Sequence, residues 1–135
     1  MKPSDILIKK KGSSEDFYKY GLYLLRFKKK VYIGCAFDET IDARLKAHRN
    51  NSITGTTPKD RQLREEGGCT AEVLYFLNRN LSRNRRKKLI MLIEDYLIYK
   101  CGHNILEQLL DVDILDETLV KYKDIISAYM LNSQY

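Results

Sequence analysis

The chain has 135 residues, 44% of them hydrophobic and 31% charged, with a formal net charge of +6; that is the size of one domain and the balance of a folded rather than a disordered chain. No apolar run reaches the roughly 18 residues that a membrane span needs, and Met1–Lys11 is too polar for a secretory signal. Cys35, Cys69 and Cys101 are odd in number and lack CxxC spacing, so free thiols in a cytoplasmic, not secreted, protein are expected.

Tyr20–Phe27 and Val31–Cys35 are rich in aromatic and β-branched residues and flank Lys28-Lys29-Lys30, which predicts a β-hairpin. Thr40 is placed to cap a helix through about Asn50, with Ile41, Leu45 and His48 along one stripe. Asn51–Thr57, polar and carrying Gly55, reads as a loop. Thr57 followed by Pro58 is the N-cap-then-N1 pattern for a short helix over Lys59–Glu66, stopped by Gly67-Gly68. Ala71–Leu77 predicts a third strand, and Ser82 caps the longest helix, which runs to Lys100 and ends at Gly102. Asp116–Leu131 is a last, amphipathic helix with Leu119, Tyr122, Ile126 and Tyr129 on one stripe. Strands joined by a tight turn must be antiparallel. The expected fold is therefore α+β: a small antiparallel three-stranded sheet flanked by helices, with an extra C-terminal helix, in one domain over residues 1–135.

The charge is unevenly placed. Residues 105–135 hold only Lys121 and Lys123 against Glu107, Asp111, Asp113, Asp116, Glu117 and Asp124, so the basic excess belongs to the rest of the chain. A basic body with an acidic tail suits a polyanion partner, although a solvated basic surface has the same composition. Arg83, Arg85, Arg86, Lys87 and Lys88 fall in the first turns of the longest helix, where cations oppose the macrodipole. With no visible compensation, an anion such as DNA phosphate is expected there, and Lys28, Lys29 and Lys30 are further candidates for nucleic-acid contact.

Several residues are suited to chemistry. Tyr23 and Tyr32 lie on the two hairpin strands. If Phe27 faces Lys30, or Arg26 faces Val31, the two phenols share a face and can bracket a water molecule; a slip of one residue separates them. Tyrosines in strands are more often packing residues, so the pair matters only in company. Arg44 and His48, four apart on the predicted helix, offer a planar fork for phosphate oxygens and a proton carrier near neutral pH, or else simply a charged face. Glu94 interrupts Leu89-Ile90-Met91-Leu92-Ile93 and projects from an apolar surface, where a carboxylate needs an arginine, a metal ion or a hydrogen-bond network. A hard divalent cation is a natural partner for one carboxylate, phosphate oxygens and water. Cys35, Cys69, Cys101 and His103 could supply zinc ligands, but the spacing favours buried thiols and a loop histidine.

Gly21-Leu22-Tyr23, then Tyr32-Ile33-Gly34, then Arg44 with His48, then Glu94 within a helix, then Asn104 resembles the GIY-YIG nuclease superfamily. The resemblance covers about residues 20–105, leaving about 106–135 as a helical extension. Tyr-Ile-Gly alone is common; the specificity lies in the order of the whole set. Leu22 stands where Ile is usual, and the stretch from Gly34 to Arg44, carrying Asp38 and Glu39, is slightly long. The resemblance implies a metal-dependent endonuclease acting on DNA. Tyr23 would activate or orient the attacking water with help from Tyr32, Arg44 would stabilise the scissile phosphate, and His48 would assist proton transfer. Glu94 would hold one Mg²⁺ or Mn²⁺ ion, and Asn104 would hold the site's geometry by hydrogen bonds. Because most of the chain is the expected catalytic module, target choice would fall to Asn51–Gly68, the basic helix start, the C-terminal helix, a homodimer or a partner. An inert nucleic-acid-binding adaptor that keeps the fold is the alternative, and the presence of both tyrosines, Arg44 and Glu94 argues against it.

Overall fold

Among the described residues a mixed sheet joins five strands: β1 (Leu7–Lys10), β2 (Gly21–Arg26), β3 (Lys30–Ala36), β4 (Gly68–Phe76) and β5 (Leu109–Asp111). Their spatial order is β1-β4-β2-β3-β5, and only β1 and β4 run parallel. The computed structural model describes residues 1–103 and 109–132, the last two by backbone alone. The architecture is α+β, but with five strands, not the predicted three. The additional strands are both at the edges. β1 holds two lysines and buries Ile8 alone of its apolar pair, and β5 has three residues; neither carries a full alternating pattern.

Helix starts follow the capping chemistry. Thr40 accepts the Ala43 N–H at 3.2 Å and opens α1 (Ile41–Ser52). Thr57 accepts the Asp60 N–H at 3.2 Å and opens α2 (Pro58–Glu66), which Gly67 ends in the left-handed region at φ 71°. Ser82 accepts the Arg85 N–H at 3.3 Å at the start of α3 (Arg83–Lys100). The last helix, α4 (Val112–Asn132), begins four residues before its predicted start. The carboxylate of Asp111 accepts the N–H groups of Asp113 at 3.0 Å and Ile114 at 3.2 Å, and so caps it.

The hairpin has its aromatic-sharing register: Phe27 donates to Lys30 at 2.8 Å and Arg26 faces Val31. Each face of the sheet then has its own core. Leu22, Leu24, Val31 and Ile33 meet Ile90, Ile93 and Leu97 of α3 and Leu115 and Ile126 of α4. Tyr23, Leu25 and Ala36 face the other way, toward Ile41 and Leu45 of α1 and Leu63 of α2. Burying a large aliphatic side chain contributes about 1.5–3 kcal/mol, so both helical layers are firmly seated on β2 and β3. One irregularity lies beside Tyr23: Leu22 pairs with Tyr75 but Tyr23 with Val73, a bulge in β4, the kind of distortion that re-aims a side chain. Among the described residues no helix is long and apolar enough to cross a membrane.

Candidate active site

Tyr23 faces Gly34 and Tyr32 faces Leu25, so both phenols point to the α1–α2 side of the sheet. α1 brings Arg44 and His48 to them from successive turns. Tyr23 Oη lies 2.5 Å from His48 Nε2, and the Arg44 guanidinium is near enough to favour the charged form of the same phenol. The imidazole stands edge-on to both tyrosines, with ring centroids 5.8 Å from Tyr23 and 5.3 Å from Tyr32. Lys59, one residue into α2 from Pro58, sets its Nζ 2.7 Å from His48 Nδ1 and 3.1 Å from Asp60 Oδ1. Asp60 also accepts from the Thr57 hydroxyl at 2.8 Å.

These groups are dry. Tyr23 is wholly buried and His48 is 1% exposed. Burial pushes the Tyr23 phenol well above its ordinary value, Tyr32 adds to the rise, and Arg44 opposes it. Tyr32 is raised to about 12 by burial and then by the Glu94 carboxylate. His48 is pushed down to about 3, first by burial and then by the charges of Lys59 and Arg44. The expected proton carrier near neutral pH is thus a neutral imidazole in this structure, because two cations and a lost hydration shell disfavour its charged form.

Glu94 approaches from α3, on the opposite layer. It is 5% exposed, and its carboxylate lies close enough to the Cys35 thiol to disfavour the thiolate. Burial and Glu94 raise that thiol to about 12. Among the described residues β5 pairs with Lys30, Val31 and Tyr32. Farther along β3, Cys35 feels both Glu94 and Arg44. A cavity of about 320 Å³ opens there, lined by Cys35, Ala36, Phe37, Asp38, Glu39 and Arg44. Arg44 Nη1 is 3.6 Å from Glu39 Oε1, while its buried Nε has no hydrogen-bond partner among the described residues.

No family model, curated protein or solved structure matches this chain.

Tyr23, Tyr32, Arg44 and His48 therefore meet on one face, Glu94 acts on Tyr32 from the opposite layer, and Asn104 lies outside the described residues. Among the described residues no group of three or more His, Cys, Asp or Glu side chains is arranged to hold a metal ion. Of the two buried carboxylates here, Asp60 is paired with Lys59; Glu94 as a single carboxylate fits an ion such as Mg²⁺ that keeps most of its shell as water and substrate phosphate oxygens. The three thiols lie apart, on β3, on β4 and at the end of α3.

The basic residues divide into two groups. Arg83 pairs with Asp38 at 2.6 Å. Arg86 donates to the Phe37 carbonyl at 3.0 Å and the Leu81 carbonyl at 2.7 Å, and stacks 4.4 Å over Tyr20. The compensation that the sequence does not reveal is thus inside the protein, in Asp38 and two loop carbonyls. Arg85, Lys87 and Lys88 remain exposed on the same helix start, with Lys87 5.8 Å over the Phe37 ring at the cavity wall. Lys28, Lys29 and Lys30 are exposed at the other end of the hairpin. There the Lys28 N–H donates to Glu66 at 3.2 Å and Lys30 pairs with Asp111 in the sheet.

Lys59, Asp60 and Cys35 are not singled out by sequence reasoning as parts of this site. Lys59 and Asp60 sit on a helix whose packing against α1 no local pattern specifies, and Cys35 reads as an ordinary strand thiol. The one available signal was the alternation of β3, which puts Cys35 on the face opposite Tyr32 and so on the side of α3.

Proposed function

We propose that the chain is a divalent-metal-dependent endonuclease of the GIY-YIG kind, hydrolysing phosphodiester bonds in DNA, with duplex DNA as the substrate. The observation that carries this reading is the Tyr23–His48 hydrogen bond beside Tyr32, with Arg44 acting on Tyr23 and also lining a cavity with Cys35, whose thiol feels the Glu94 carboxylate. Hydrolysis needs a water positioned in line with the leaving oxygen and positive charge over the non-bridging oxygens. Tyr23 Oη, deprotonated, would take a proton of the attacking water, with His48 Nε2 2.5 Å away and the Arg44 charge favouring its ionised form. Tyr32, beside the same imidazole, would help orient that water. Arg44 is partly exposed and lines the cavity, where its fork would span a phosphate. A Mg²⁺ or Mn²⁺ ion bound by Glu94 would polarise the phosphate and offset its charge. Exposed Arg85, Lys87 and Lys88 would contact the flanking backbone.

The test is nicking of supercoiled plasmid by the purified chain with Mg²⁺, with Mn²⁺ and with chelator, beside Tyr23→Phe prepared identically. Cleavage that needs the ion and is lost in Tyr23→Phe supports the reading. Absence of cleavage with either ion, or equal cleavage by Tyr23→Phe, overturns it.

A further inference from the structure

We infer that Lys59, anchored by Asp60, is a positioning residue that fixes His48 in the tautomer with its proton on Nε2, so that His48 donates to Tyr23 rather than withdrawing its proton. The catalytic meaning of this arrangement rests on the nuclease reading above; the tautomer itself does not.

The geometry leaves one consistent assignment. An ammonium has three donors and no acceptor, so at 2.7 Å from Lys59 Nζ, His48 Nδ1 must present its lone pair. A neutral imidazole then carries its single proton on Nε2, 2.5 Å from Tyr23 Oη, and the phenol oxygen is the acceptor. The Arg44 charge acts on the same oxygen and favours its ionised form. One donor and one nearby cation therefore act on Tyr23, an arrangement that favours its phenolate against the cost of burial.

Lys59 is itself held in place. Its charge is offset by Asp60 at 3.1 Å, and the second oxygen of Asp60 takes the Thr57 hydroxyl. The charged and titratable groups facing the imidazole are Tyr23 from β2, Tyr32 from β3, Arg44 from its own helix and the Lys59–Asp60 pair from α2. Without Lys59 nothing in this set would oblige Nδ1 to accept. The opposite tautomer would point a lone pair at Tyr23 and draw its proton inward, away from the site.

The chain has two histidines, so ¹⁵N-histidine labelling gives two ring systems, and His103→Asn assigns them. In the free wild-type chain, long-range ¹H–¹⁵N spectra are expected to show His48 protonated on Nε2 and bare on Nδ1 from pH 5 to 8. Lys59→Met is expected to populate the Nδ1–H form and lift the His48 pKa, while Lys59→Arg, which keeps a donor, preserves the wild-type pattern. A wild-type His48 protonated on Nδ1 overturns the inference whatever the variants do, including the case where Lys59→Met fails to fold. An unchanged tautomer in a folded Lys59→Met also overturns it. With DNA and Mg²⁺, Lys59→Met should lose about a hundredfold in kcat at nearly unchanged KM and gain an acid-side inflection. A wild-type chain with the expected tautomer and no cleavage would refute the nuclease reading alone.

Discussion

The Tyr23 ring occupies the space a side chain at Gly34 would need: a Cβ at position 34 would lie 2.5 Å from Tyr23 Oη. The tyrosine passes directly over its cross-strand partner, so Gly34 is required by close approach. Gly34→Ala should displace Tyr23 from His48 and destabilise the fold by about 1–3 kcal/mol, as overpacking does. Thermal melts and plasmid nicking measure both effects; wild-type melting with wild-type cleavage would contradict the packing.

Glu94 separates binding from cleavage. Glu94→Gln keeps the shape beside Cys35 but removes the charge a cation needs. Cleavage should fall by at least about a hundredfold, while duplex affinity measured in chelator stays equal or rises, because a negative charge near the phosphate is gone. Near-wild-type nicking by Glu94→Gln in Mg²⁺ would remove Glu94 from the metal site.

Acid should weaken the fold through His48. Its folded-state pKa, about 3, lies below the ordinary value of 6.5, so between those limits the unfolded chain binds a proton that the folded chain refuses. The stabilisation is complete above pH 6.5 and declines as pH falls toward 3, by up to about 1.4 kcal/mol per pH unit. Urea titrations of wild type and His48→Gln at pH 7, 6, 5 and 4 should show the steeper loss in wild type; parallel curves would mean His48 protonates freely in place.

The rate should respond to alkali. Since Tyr23 is held well above its ordinary value, its deprotonated fraction rises about tenfold per pH unit through the neutral range. Single-turnover cleavage is expected to climb with pH and to show no inflection between 5 and 8 from His48. A bell centred near pH 6.5 would assign the proton to a different group.

The two kinds of basic residue on α3 should part company. Replacing exposed Arg85, Lys87 and Lys88 together with Ala should lower the salt dependence of duplex binding, each lost phosphate contact contributing about 0.9 to the log–log slope, with little change in melting. Arg86→Ala removes bonds to the Phe37 and Leu81 carbonyls and should destabilise by about 1–3 kcal/mol. Fluorescence anisotropy across salt and thermal melts distinguish the two; an unchanged slope in the triple variant would make that face irrelevant to DNA.

Short-range signals carry much of this fold and part of the site. Caps at Thr40, Thr57 and Ser82 act through bonds to residues three positions away, so they are legible locally. The hairpin is legible, but its lysine turn leaves a one-residue slip open; the pairing of Phe27 with Lys30 decides the shared face of Tyr23 and Tyr32. β1 and β5 were not legible because edge strands need only partial burial and find partners far away in the chain. The early start of α4 is not legible although Asp111 is a good cap, because Asp111 is itself the last residue of the three-residue strand β5. Lys59 at His48 depends on how α2 docks against α1, and Arg86 folds back on a loop; both are tertiary facts with no periodic trace.

The pairing of β1 with β4 also has a temporal side. Leu7 finds its partner at Gly68, so the first strand to be made must wait some sixty residues for its place, whereas the hairpin closes on its neighbour. Contacts so distant are costly to form early, and β1 is expected to dock after β2, β3 and β4 have assembled. Until it does, β4 presents an open row of backbone donors and acceptors, the surface on which sheets from separate molecules join. Once β1 has docked, exposed Lys9 leaves the finished sheet with a charge on its border that discourages such growth, while Lys10 turns in to Asp42.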